Sequence, residues 1–187
     1  MLNGFNFIHP LHQETRETMA QRMNIKDLKK GEELIAPDVI CNKIYFLLSG
    51  SIKSFYTKDE KDHTTWIYLE NEMFTSWHSY SLQVTSIECF KANEPSRVAV
   101  LNRADVEYVK DKYIDFLHFL NTYYELSMGF FDYITKKFPT SSAADNYAFI
   151  LAKYPKLVAR ASNSDIASII GVSRETISRI RSQRTIL

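Results

Sequence analysis

The sequence predicts an α+β chain with an N-terminal antiparallel β unit, one long helix and a C-terminal helix-turn-helix. Three observations carry that reading. From Ile40 to Leu101 the apolar residues fall in short β-type runs separated by polar turns. From Asn102 to Phe138 they recur at helical spacing. Near the end, Gly171 separates two short stretches that are each apolar on one side. With 187 residues and a 45% hydrophobic fraction, the chain has material for one ordinary domain or two small ones.

Each element has its own signal. Leu11, Thr15, Met19 and Met23 share one face of a helix over 11–30, ending at Leu28, and Lys29-Lys30-Gly31-Glu32 reads as a turn. Ile40–Leu48 and Ile52–Tyr56 read as strands joined by the tight turn Ser49-Gly50-Ser51. A charged tip, Lys58–Asp62, leads into the alternating strand Thr64–Leu69. Ile87–Lys91 and Val98–Leu101 complete a set whose spacing suits an antiparallel sandwich or barrel. Asn102 can cap the long helix. Along it Tyr113, Leu117, Leu120, Tyr124, Ser127, Phe131, Ile134 and Phe138 alternate at spacings of four and three, a seam suited to a second copy of the same helix. Phe116, Phe119, Tyr123 and Phe130 widen that face, so that one flank can cover the β unit. Pro139 marks a boundary. Ser141 or Ser142 can cap a helix over Ala143–Lys153, with Tyr147, Ile150 and Leu151 inward.

Several function classes lose support. Cys41 and Cys89 sit in or beside apolar runs and read as buried thiols; two cysteines cannot hold a four-thiolate cluster. The five histidines show no metal-binding spacing, and no nucleophile–base pair or phosphate-cradling glycine loop is visible, so neither metal, cofactor nor catalytic residue is expected. Met1–Pro10 has no secretory pattern and no apolar run reaches membrane-spanning length, which predicts a cytoplasmic protein with no membrane partner. The charge is unevenly distributed. Seven basic and three acidic residues give the segment from Pro139 a charge of +4, leaving −3 on the rest of a chain whose net charge is +1. Such a basic tail fits a polyanion-binding module.

The stretch Ser164–Arg181 carries the functional signal. Ser164 can cap a first short helix whose buried face is Ile166, Ile169 and Ile170, with Ala167 small at a close crossing. Gly171 suits the positive φ of a sharp turn. Val172 plugs the turn, Ser173 caps a second helix, and Ile177 and Ile180 point that helix inward. On its outer side Arg174 and Arg179 can each present a two-pronged donor to guanine O6 and N7, and Glu175 can accept from a cytosine amino group. Ser173, Thr176 and Ser178 can reach phosphates, and Arg181 and Arg184 extend the basic strip.

These residues, Asp165-Ile166-Ala167 followed by Gly171–Arg179, closely resemble the signature of the cyclic-AMP receptor protein/Fnr (Crp/Fnr) family of bacterial regulators. More weakly, Tyr45–Ile52 resembles the hairpin of that family's β-roll, and Leu101–Phe138 its paired helices. The resemblance implies a cyclic-nucleotide-binding-like β-roll, a double-stranded β-helix, over 1–111, a dimerisation helix over 112–138, and a DNA-binding domain over 139–187. It also implies that Arg174, Glu175 and Arg179 read bases, that double-stranded DNA and a second copy of the chain are partners, and that RNA polymerase is a candidate partner. Two departures matter. Thr75-Ser76 stands where nucleotide-binding members carry Gly-Glu, and Thr85-Ser86 lies near where they carry an arginine. Without that arginine nothing offsets the desolvation of a cyclic phosphate, so weak or no binding of cyclic AMP is expected. The second departure is the stop at Leu187, which is expected to leave no residues for a wing hairpin.

Trp77, His78, Tyr80, Thr85, Ser86, Tyr123 and Tyr124 mark a candidate effector pocket, for an unidentified small molecule or for filled core. The leading expectation is a homodimeric transcription regulator. The alternative is a ligand sensor or scaffold of the same fold that does not read DNA, and an enzyme is the weakest option.

Overall fold

A computed structural model describes residues 9–184, with side chains to Gln183. The chain runs α1 (Gln13–Arg22), β1 (Asn24–Leu28), β2 (Glu33–Ile35), β3 (Lys43–Ser49), β4 (Ile52–Lys58), β5 (Lys61–Tyr68), β6 (Met73–Phe74), α2 (Trp77–Leu82), β7 (Cys89–Ala92) and β8 (Ser96–Asn102). It continues as helices only: α3 (Arg103–Lys112), α4 (Ile114–Thr140), α5 (Ala143–Lys153), α6 (Pro155–Arg160), α7 (Asn163–Ile170) and α8 (Arg174–Arg184). The strands form two four-stranded antiparallel sheets, ordered β1-β8-β3-β6 and β2-β7-β4-β5.

Alternation along β3 explains how the layers stack. Tyr45 and Leu47 face the space between the sheets, while Ile44 and Phe46 face the opposite way, under α1, α3 and α4. The inter-sheet space is filled by rings. Phe74 stacks on Tyr68 at 4.9 Å, on Tyr45 at 5.5 Å and on Phe90 at 6.0 Å. Phe116 and Phe119 of α4 are fully buried over the outer face of the first sheet, the covering role expected of them.

The turn at Gly50 differs from expectation. β3 and β4 do not pair: β3 bonds to β8 and β6, and β4 to β5 and β7. Gly50 is therefore a corner that carries the chain from one sheet to the other. Its φ is +87°, and a Cβ there would lie 2.3 Å from the Ser96 hydroxyl and 2.6 Å from the Pro95 carbonyl. Glycine is required both by the backbone and by the close approach.

Other expectations are corrected at the boundaries. The N-terminal helix stops at Arg22, and residues 24–28 are a strand paired with β8 from Asn24↔Val100 to Leu28↔Ser96. Lys58–Asp62 is the closing turn of a hairpin that pairs out to Lys58↔Lys61, with Asp59 and Glu60 at positive φ. Asn102 precedes a helix, but that helix ends at Tyr113, whose extended backbone (φ −126°, ψ 109°) separates α3 from α4. Pro139 lies within the last turn of α4, which runs on to Thr140. Ser142, not Ser141, caps α5, accepting from the Asp145 N–H at 3.2 Å.

Asp115, at the start of α4, is buried and ties down α1. Its carboxylate accepts from the His12 N–H at 2.7 Å and the Thr15 hydroxyl at 2.9 Å. Burial alone would raise its pKa; those two donors outweigh burial and hold it below the ordinary value. Cys41 and Cys89 are buried and not joined in a disulfide. No described helix is long and apolar enough to cross a membrane, and among the described residues no group of acidic, histidine and cysteine side chains gathers as a metal site.

Candidate nucleic-acid interface and effector cavity

The helix-turn-helix is built by caps. Ser162, rather than Ser164, begins α7: its side chain accepts from the Asp165 N–H at 3.1 Å while the Asp165 carboxylate accepts from the Ser162 N–H at 3.2 Å. This reciprocal box needs an acceptor three residues after the cap, and the Ser162/Asp165 pair supplies it. α7 ends at Gly171, with φ +80°. The N–H groups of Gly171 and Val172 both return to the Ala167 carbonyl at 2.9 Å, closing the turn tightly. Ser173 then caps α8, accepting from the Thr176 N–H at 3.2 Å.

The faces of α8 separate as the sequence predicts. Ile177 and Ile180 are buried against α7 and α5. Arg174, Glu175, Ser178 and Arg179 are exposed and, at about 100° per residue, occupy an arc of roughly 140° on the other side. Arg174 and Arg179 make no hydrogen bond or salt bridge with any described residue. Ser173 is exposed and Thr176 half-buried; the two hydroxyls are 3.1 Å apart. The Glu175 carboxyl lies below its ordinary range because its own N–H and the Ser173 side chain donate to it.

Arg181 departs from the expected basic strip. It turns inward, donating to the Val158 carbonyl at 2.9 Å and the Tyr147 hydroxyl at 3.3 Å. It braces α8 against α5 and α6. The side chain of Arg184 lies outside the described residues.

A contact absent from the sequence reading fixes where this unit sits. α7 lies along β5, and Trp66, Ile67 and Leu69 enter the same core as Ile166, Ile170 and Ile177. Asp165 accepts from the Thr64 hydroxyl at 2.8 Å and pairs with Lys53 at 3.3 Å; the Ser168 hydroxyl donates to the Thr64 carbonyl at 3.0 Å. Burial would raise the Asp165 pKa, but Ser162, Thr64 and Lys53 together lower it. Below them Arg160 donates to Glu70 at 2.7 Å and to the Gly50 carbonyl at 3.0 Å. No local pattern could have shown these pairings, which join residues about a hundred positions apart.

The seven pocket residues do not form one site. Trp77, Tyr123 and Tyr124 pack together, with Trp77 5.8 Å from Tyr123 and 5.4 Å from Tyr124. Tyr80 is buried beside Trp77, and its hydroxyl hydrogen-bonds to no described residue. His78 and Thr85 are exposed, and Thr85 bridges to Ile40. Ser86 is buried and closed within the roll, its hydroxyl donating to the Glu88 carbonyl at 2.8 Å and lying 2.8 Å from the Ser76 hydroxyl. Thr75 likewise donates to the Lys43 carbonyl at 2.7 Å. Of the four positions compared with the family's nucleotide cassette, Thr75, Ser76 and Ser86 are thus tied into internal hydrogen bonds, while Thr85 is exposed.

Two pockets take in these rings: one, with Trp77, Tyr123 and Tyr124, runs along α4 to Thr135; the other lies between the β5–β6 turn, Trp77 and the middle of α4. The latter measures about 220 Å3 and includes Trp77 and Tyr123. Its other walls, Trp66, Phe130 and Tyr154 among them, and its one charged side chain, Glu72, were missed by the sequence reading. Only Phe130 among them has a sequence signal, the aromatic surplus on α4.

No family model and no curated protein matches the sequence. Solved structures do. FixK2 from Bradyrhizobium japonicum is 16% identical, with 86% of this chain and 83% of that one covered at a TM-score of 0.75. The c-di-GMP-responsive global regulator CLP of Xanthomonas campestris is 14% identical over 94% and 92% of the two chains, at 0.69. A Eubacterium rectale protein described as a transcriptional regulator of the Crp/Fnr family is 15% identical over 98% and 88%, also at 0.69. The chain therefore has the fold of the Crp/Fnr regulators: a β-roll, a long helix and a terminal helix-turn-helix.

Proposed function

We propose that this chain is a homodimeric, sequence-specific DNA-binding transcription regulator of the Crp/Fnr family. The observation that carries the reading is the outer face of α8. It presents two guanidinium forks, Arg174 and Arg179, held by no other described side chain, on a helix whose opposite face is locked by Ile177 and Ile180. Each fork matches the O6/N7 edge of guanine, Glu175 can accept from cytosine, and Ser178 and the capped N-terminus can meet phosphate.

The dimer reading rests on α4. Its upper half is taken up within the chain, because Tyr113 and Leu120, part of the seam expected from spacing, are buried in the roll's own core. Lower down Tyr124, Met128 and Phe131 are 39%, 73% and 46% exposed, at i, i+4 and i+7. That is one apolar stripe, and a second copy of the same helix covers it by symmetry. The two α8 helices of such a dimer lie about 34 Å apart, one turn of DNA. Cyclic AMP is not the effector in this reading, since rings fill the roll and Thr75, Ser76 and Ser86 are internally bonded. RNA polymerase stands as a partner only through the regulator role.

Selection from random duplexes at moderate salt tests the proposal. A near-palindromic motif is expected, with affinity falling steeply as salt rises. The Arg174→Ala, Arg179→Ala double variant should lose the motif while staying folded. No enrichment, or equal enrichment by the double variant, overturns the reading in favour of a sensor or scaffold that does not bind DNA.

A further inference from the structure

Both tryptophans of the chain, Trp66 and Trp77, line the same cavity of about 220 Å3. It is walled by aromatic rings from four parts of the molecule. Trp66 comes from β5 and meets Phe130 of α4 and Tyr154, between α5 and α6, edge-on at 5.3 Å each. Trp77 of α2 meets Tyr123 of α4, whose hydroxyl donates to the Met73 carbonyl and so fixes its ring.

Glu72 is the one charged side chain among the described residues that line this cavity. One carboxylate oxygen accepts from the Leu69 N–H at 3.0 Å; the carboxylate forms no salt bridge with any described residue. The nearby guanidinium of Arg160 is engaged by Glu70 at 2.7 Å. Burial pushes the Glu72 carboxyl up to about 7; the Leu69 N–H opposes that shift and neighbouring Glu70 adds to it. Once ionised, this carboxylate places a negative charge beside the rings with no cation among the described residues to pair it. Ring faces also carry the negative end of the aromatic quadrupole, so walls and carboxylate favour the same sign of guest. A phosphate or other anion is disfavoured by both.

We propose that this cavity binds a small organic cation, a quaternary or tertiary ammonium, with its charge against Glu72 and its alkyl groups against the rings of Trp66, Trp77, Tyr123 and Tyr154. Its volume equals about seven water molecules, which suits a guest of choline size. The inference goes beyond the DNA reading and does not need it. Binding is measured without DNA, so failure here leaves the duplex selection untouched, and failure of that selection leaves this site standing.

Because the chain's only two tryptophans face the site, their emission reports occupancy directly. Choline chloride is titrated into the full chain at constant ionic strength, alongside the uncharged isostere of choline in which carbon replaces nitrogen. The proposal expects a saturable change with choline and binding of the isostere weaker by roughly tenfold or more. Glu72→Gln should weaken choline by a similar factor, while its melting transition shows that it is folded. Phenyltrimethylammonium serves as a larger probe of the same charge. Equal binding of choline and its isostere overturns the proposal. So does unchanged choline binding by Glu72→Gln, and so does no saturable response to either cation at tens of millimolar.

Discussion

Asp165→Ala tests how the helix-turn-helix is held on the β-roll. The side chain is 9% exposed and serves two purposes. It completes the capping box of α7 with Ser162, worth about 1 kcal/mol. It also accepts from the buried Thr64 hydroxyl across the contact with β5, a charge-assisted bond worth about 1.5–3 kcal/mol. Lys53, with 23% of its side chain exposed, can turn to solvent when its partner is lost and adds little. The expected cost is therefore about 2–4 kcal/mol. Urea unfolding at fixed protein concentration, followed by tryptophan emission, measures it. A double-mutant cycle with Thr64→Val separates the docking bond from the cap. Because the folded Asp165 pKa lies below its ordinary 3.8, its contribution is present above that pH and is lost as pH falls through the depressed value. The gap between wild type and variant should therefore close in acid. A loss under about 1 kcal/mol at neutral pH, or no coupling to Thr64, would refute the account of docking.

Three further outcomes follow from the same structure. Glu72 has a folded pKa of about 7 against an ordinary 4.5, so its stabilising contribution is full below 4.5 and is lost as pH rises through 7. Glu72→Gln should remove that slope in thermal melts and exceed wild type by about 2 kcal/mol at alkaline pH, after discounting for solvent at the cavity rim. A variant that keeps the slope contradicts this. Met128→Glu, at a position 73% exposed, should leave the fold intact but weaken dimerisation at least about tenfold in sedimentation velocity, since a two-fold axis buries the new charge twice. Gly50→Ala should destabilise more than Gly171→Ala: both have positive φ, but only at Gly50 would the new Cβ strike backbone, whereas at Gly171 nothing lies within 4 Å. Chemical denaturation of the two variants gives the order, and a reversed order contradicts the corner described at Gly50.

The parts of the molecule legible in the sequence are those whose signals are local. Gly171, Ser173 and the isoleucines mark their turn, cap and faces by spacing alone, and the alternation on either side of Gly50 marks two strands. Pairing is not local. The spacing of Leu11, Thr15, Met19 and Met23 runs straight into Asn24–Leu28, and only hydrogen bonding to β8 makes that segment a strand. Serines two apart, Ser162 and Ser164, offer similar caps until the whole box with Asp165 is considered. The α4 seam shows a further limit: the heptad spacing of Tyr113 and Leu120 cannot distinguish burial in one's own sheet from burial against a partner. Arg181 reads like Arg179 in sequence, and only the positions of Tyr147 and the Val158 carbonyl turn it inward. The cavity was least legible, because its walls come from β5, α2, α4 and the α5–α6 junction.

The most direct test of the central claim is a structure of the chain bound to the duplex it selects. Two copies related by a two-fold axis and joined along α4 are expected. Each should have α8 in the major groove, with the Arg174 and Arg179 guanidinium groups within about 3 Å of base-edge acceptors. A complex in which α8 stays clear of the groove, or in which those two arginines touch only solvent, would contradict that claim.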